Sequence, residues 1–174
     1  MNLDATFARN KVVELVKREF AGVPVPEPQV LAQLQAYAVP TTLRMVQSVM
    51  RAPTPWDLER AEPDWLWAGT PETFAFVVPA VALRALEGPP LSAWDFAFDL
   101  ITHLNPETSQ SQFFQDRFAR MTFPQVRVLA DVVRTLGMIY EGMVEPAEFA
   151  LRAYWGHYQT FVFTGSRQWR ERAD

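Results

Sequence analysis

Asp95, Asp99 and His103 fall at i, i+4 and i+8 in the run WDFAFDLITH. On a helix this spacing makes one polar stripe along an otherwise buried rod. Carboxylates and imidazole are the ligand types that zinc, manganese and iron accept. The stripe would be ~12 Å long, so one ion could bind two of the three but not all. Asp95 and Asp99 would lie about 6 Å apart, near the separation of a glycosidase pair. That spacing recurs wherever two acids sit four residues apart on a helix, so it specifies little. The plainer expectation is a solvent-facing seam, or a row of partners for Arg84, Arg117 or Arg120 on neighbouring helices. The three residues are therefore pocket candidates only, with no catalytic residue, metal or cofactor assigned.

Other chemistries lose their usual marks. The chain has no Cys, which removes disulfides, thiolate zinc sites and cysteine nucleophiles together. No G-x-S-x-G, P-loop or G-x-G-x-x-G occurs. Acids outnumber bases, 20 to 16, and no basic stripe marks a phosphate-binding face. The best candidate for a recognition helix, Gln125 to Tyr140, offers only Gln125, Arg127 and Arg134 for base contacts. Nucleic acid is thus disfavoured as a partner.

Aromatic residues give a second set of candidates. Trp56, Trp65 and Trp67 fall in the loop-like stretch APTPWDLERAEPDWLWAG. They suit either a lid over the core or an interaction hot spot. Tyr158, Phe161 and Phe163 alternate with polar residues in strand fashion, yet no second strand is evident to pair with them. That tail could lie extended, prolong the last helix or pair with a second copy. Arg167, Trp169, Arg170 and Arg172 close the chain as a solvated terminus. The run Val23-Pro24-Val25-Pro26-Glu27-Pro28 reads as a stiff extended spacer.

The elements that must position these residues centre on Thr70 to Gly88. Thr70 suits an N-cap, Pro71 the first helical position, and Glu72 the positive end of the dipole. From Phe74 to Leu83 there is no polar side chain. A helix apolar on every side must be buried on every side, and this one is too short to span a bilayer. Gly88 is expected to close it in a left-handed conformation. Pro79 inside it predicts a kink or a break, and leaves the Ala75 carbonyl without its usual donor. That carbonyl would be open to a ligand if it faced a pocket.

Helical spacing predicts further rods. The first covers about 5–21, capped by Asp4. Short ones follow near 30–37 and 41–50. Ser92 is expected to cap the rod carrying the acid stripe, in which Trp94, Phe96, Phe98, Leu100 and Leu104 cover most of the circumference. Thr122 and Gln125 form a capping box for a helix burying Val126, Leu129, Val133 and Leu136. On that helix Arg127, Asp131 and Arg134 are expected to face out. A last helix runs from Glu145 to Gly156.

Several of these marks together resemble a bacterial family of helical domains that has no established activity. They are Glu19-Phe20-Ala21-Gly22-Val23-Pro24, Trp56-Asp57-Leu58, Thr70 to Phe74 running into Pro79-Ala80-Val81, Phe114 to Gln125, and Ala150 to Trp155. The likeness covers about residues 10–155. It implies one compact helical domain and adds no site residues.

The expectation is an all-α protein. A single compact orthogonal bundle of about seven to eight helices would surround a buried central helix at about 71–87. The domain would cover 1–156, with an aromatic and basic tail at 157–174. The N-terminus lacks the apolar core of a signal peptide, so a cytoplasmic protein is expected. Its expected role is a non-enzymatic protein-interaction module that binds a protein partner or itself, and no membrane. The alternative is a small-molecule or metal-dependent enzyme acting near Asp95, Asp99 and His103.

Overall fold

The computed structural model describes residues 3–27, 30, 70–88, 90–106, 111–158, 161–163 and 169–171. Six α-helices occur among them: α1 Leu3–Glu19, α2 Pro71–Glu87, α3 Pro90–His103, α4 Ser111–Asp116, α5 Phe123–Ile139 and α6 Val144–Ala153. Short 3-10 turns, Glu141–Met143 and Trp155–His157, flank α6. Apart from Val30, the expected short helices near 30–50 lie outside the described residues, as does the Trp56, Trp65 and Trp67 segment. Among the described residues no helix is long and apolar enough to cross a membrane.

The all-α architecture follows from α2. The Thr70 hydroxyl accepts the Thr73 N–H at 3.3 Å, and Pro71 takes the first turn. Every residue from Thr73 to Leu86 is buried, so the run without a polar face has neighbours on all sides. α1, α3 and α5 pack against it. Pro79 is accommodated inside one continuous helix. Gly88 ends α2 in extended backbone, φ −67° and ψ 166°, not in the expected left-handed conformation. Its N–H still bonds the Arg84 carbonyl at 2.9 Å. Glycine suits this site because of crowding: a β-carbon would lie 2.5 Å from that carbonyl oxygen and 3.2 Å from the Ala93 β-carbon. The chain turns so tightly into α3 that no side chain fits.

α3 starts at Pro90, ahead of the expected Ser92 cap. Ser92 instead accepts a hydrogen bond at 2.8 Å from the buried Arg84 guanidinium. α1 likewise starts before Asp4, which sits in its first turn against the helix dipole, and it ends at Glu19. Its buried face is Ala5, Ala8, Val12, Leu15 and Val16.

That face packs on α5, more than a hundred residues later in the chain. At the start of α5 the capping box is complete: the Thr122 hydroxyl accepts the Gln125 N–H, and the Gln125 side chain accepts the Thr122 N–H at 2.9 Å. The Gln125 amide also donates to the Glu19 carbonyl at 3.0 Å, which ties the two helices end to end. Asp131 does not face out as expected: it is 3% exposed. The cause is α1, whose Phe7, Ala8, Lys11 and Val12 close over Asp131, Arg134 and Thr135.

α6 packs on α5 and α3 and ends at Ala153, earlier than expected, in the turn that buries Trp155. Phe161–Phe163 has the partner strand that the sequence did not reveal. It pairs antiparallel with Trp169–Glu171, Phe161 opposite Glu171 and Phe163 opposite Trp169. The intervening Thr-Gly-Ser-Arg-Gln has the composition of a hairpin connection.

Candidate functional site

The acid stripe is divided between surface and core. His103 is wholly buried at the end of α3. Arg117 Nη1 donates to its Nδ1 at 3.0 Å and to its backbone carbonyl at 3.3 Å. With Nδ1 accepting, the ring proton belongs on Nε2. Burial, aided by the Arg117 charge, pushes the imidazole pKa down to about 3. The ring is therefore neutral at physiological pH. Arg117 is 2% exposed, lies 5.5 Å over the Phe74 ring, and is lowered by burial to about 10. Trp155 Nε1–H donates to the next carbonyl, Leu104, at 2.6 Å. Around these groups Phe74, Phe114, Phe118, Tyr154 and Trp155 pack edge to face. The arrangement fixes the end of α3 and leaves His103 out of reach of a substrate.

Asp95 is exposed and Asp99 half-buried on the outer side of α3. Among the described residues no group of three or more His, Asp or Glu gathers to hold a metal. Of the arginines proposed as partners, Arg117 meets His103 and Arg84 meets Ser92. Arg120 pairs with Glu72 across 2.7 Å, and Glu72 is held below the usual carboxylate range by a backbone hydrogen bond and by Arg120.

The outer side of α3 carries two rings expected in the core. Trp94 is 42% and Phe98 47% exposed. Their rings stack with centroids 5.5 Å apart and planes 13° from parallel. At ~100° per residue, Trp94, Phe98, Thr102, Asp95 and Asp99 share one arc of about 140°, while Ala93, Phe96, Ala97, Leu100, Ile101 and His103 are buried. The signal was present in the helical wheel: Trp94 and Phe98 sit beside the acids, not opposite them. The aromatic side of the arc adjoins the turn before α6. A β-carbon at Gly142 would lie 3.8 Å from the Trp94 indole nitrogen. Glu141, Val144 and Glu145 are exposed there as well.

Other exposed apolar side chains are less organised. Leu3 is at the start of α1, and Phe123, though exposed, has the Arg127 guanidinium 5.8 Å from its ring centroid. A groove of about 740 Å³ runs between the segment Gly22–Glu27 and the side chains of Glu72, Arg120, Thr122 and Gln125. Ala75, whose carbonyl loses its usual donor to Pro79, is part of its lining, while Asp95, Asp99 and His103 are not. Of the expected interface residues, Tyr158 is half-buried against Tyr154 and Trp155, with ring centroids 5.3 and 6.4 Å away. Phe161 and Phe163 lie in the ribbon, and Trp56, Trp65 and Trp67 are outside the described residues. The chain matches no family model, no curated protein and no solved structure.

Proposed function

We propose that this protein is a helical protein-interaction module, acting in the cytoplasm, whose contact face is the outer side of α3. The observation that carries the proposal is the Trp94–Phe98 stack. Two large rings stacked on one another at the surface form an apolar plate, the kind of surface that hot-spot residues provide. The plate has no evident use in folding, since α3 is already anchored by Phe96, Ala97, Leu100, Ile101 and Leu104 on its other side. The test is a photo-crosslinking phenylalanine at position 98, compared with one at the still more exposed position 3. A discrete adduct from position 98 alone, identified by mass and reproduced with the purified partner, is expected. Equal labelling at both positions, or none at 98, would remove the face. Light scattering of the full chain and of a chain lacking 159–174 separates self-association from binding of another protein.

The second reading is a small-molecule protein, and the groove beside Glu72 and Arg120 favours it, being of a size that suits such ligands. An enzyme built on Asp95, Asp99 and His103 has less support, because the imidazole is enclosed and the acids are outside. Metal analysis of the purified protein, with Asp99→Ala as control, tests that version.

A further inference from the structure

We infer that the α3 face takes an arginine-bearing segment of a partner protein. The inference rests on the interaction-module reading and specifies the partner's chemistry. Charge complementarity carries it. Asp95 is exposed on one flank of the Trp94–Phe98 plate. Glu141 and Glu145 are exposed on the elements packed against its other flank. Among the described residues none of these three is in an ion pair. No basic side chain belongs to the exposed arc of α3 or to the turn from Glu141 to Glu145. An aromatic plate attracts cations to its face, and tryptophan does so most strongly. Guanidinium suits this face better than ammonium. It is planar, stacks on a ring, and presents its edge N–H groups to flanking carboxylates at the same time. A neutral apolar segment would cover the rings and leave the acids unmatched. An acidic segment would be repelled.

The experiment measures fluorescence anisotropy of the full chain with a labelled twelve-residue peptide of arginine, alanine and leucine, and with a twin carrying citrulline at every arginine. Citrulline keeps the planar group and removes the charge. Binding of the arginine peptide at least tenfold tighter than that of its twin is expected. Trp94→Ala and Phe98→Ala should each weaken it about tenfold. Asp95→Asn combined with Glu141→Gln and Glu145→Gln should weaken it about fivefold and reduce its salt dependence. All five positions are at the surface, and circular dichroism verifies that the variants fold. Three results would overturn the inference: equal affinity for both peptides, arginine-peptide affinity unchanged by both aromatic substitutions, or no binding at millimolar peptide. Equal affinity that is still lost with Trp94→Ala would leave the interaction module standing and remove only its preference for arginine. A failed crosslink at position 98 would count against the module itself.

Discussion

His103 shows how much a residue's role depends on what surrounds it. In the sequence it is the third member of a polar stripe, a plausible ligand or base. In the fold it is an enclosed acceptor for Arg117. The folded ring stays neutral down to about pH 3, whereas the unfolded ring takes a proton near its ordinary value of ~6.5. Between those values the unfolded chain binds more protons. Stability from this group is therefore complete above pH ~6.5 and falls as the solution is acidified toward 3, by at most ~1.4 kcal/mol per pH unit. Urea unfolding at pH 7.5 and 5.0 should show a loss of up to about 2 kcal/mol on acidification. His103→Gln keeps an acceptor for Arg117 and should flatten that difference. Glu72, whose folded pKa is lowered, contributes stability that is lost as pH falls from the ordinary carboxylate value through its lowered folded one, so mostly below pH 5.0. An acid response identical in the variant would show that His103 is not its source. The neighbouring Trp155 makes a second residue-scale case. Trp155→Phe removes the donor to Leu104 and part of a fully buried ring, so a loss of about 2–4 kcal/mol is expected by urea or thermal unfolding.

At the scale of elements, caps and apolar runs were legible because they are local. Thr70 with Pro71, and Thr122 with Gln125, state where a helix begins in four residues, and both hold in the structure. Which way a helix faces depends on its neighbours. Asp131 was misplaced because α1, remote in sequence, covers it. Trp94 and Phe98 were misplaced because hydrophobicity alone does not distinguish a core ring from a surface one. Close approaches are equally silent. Gly137 on α5 looks like an ordinary weak spot in a helix, yet a β-carbon there would lie 2.8 Å from the Ala147 β-carbon on α6. Because that atom is fixed to its own backbone, Gly137→Ala must push α5 and α6 apart, despite alanine's better helix propensity of ~1 kcal/mol. A net destabilisation of about 1–3 kcal/mol is expected in chemical denaturation. Adding Ala147→Gly should return part of it, because the two changes act at one contact. Stabilisation by Gly137→Ala alone would mean that the helices are not so close.

For the molecule as a whole, the buried α2 made the all-α class legible: a rod apolar on every side dictates helices around it. The order in which they close was not legible. α1 packs on α5 across the length of the chain, and the Gln125–Glu19 hydrogen bond joins their ends. Val12, Leu15, Val16 and Phe20 are each 5% exposed or less, and they join the same core as Val126, Leu129 and Val133. Removing residues 1–20 would uncover those α5 side chains along with part of α2, at about 25 cal/mol per Å² of apolar surface. A domain has only ~5–15 kcal/mol of net stability to lose. The truncated chain should therefore bind a hydrophobic dye and lose its cooperative thermal transition, while local helix signal persists. Adding residues 1–20 back as a separate peptide should restore the transition, because the missing contacts are noncovalent. Removal of 159–174 should leave the transition nearly intact, since the ribbon Phe161–Phe163 with Trp169–Glu171 pairs with itself. A cooperative, dye-free core without α1 would show that α2, α3, α5 and α6 suffice, and that the N-terminal helix is a cover added to a finished fold.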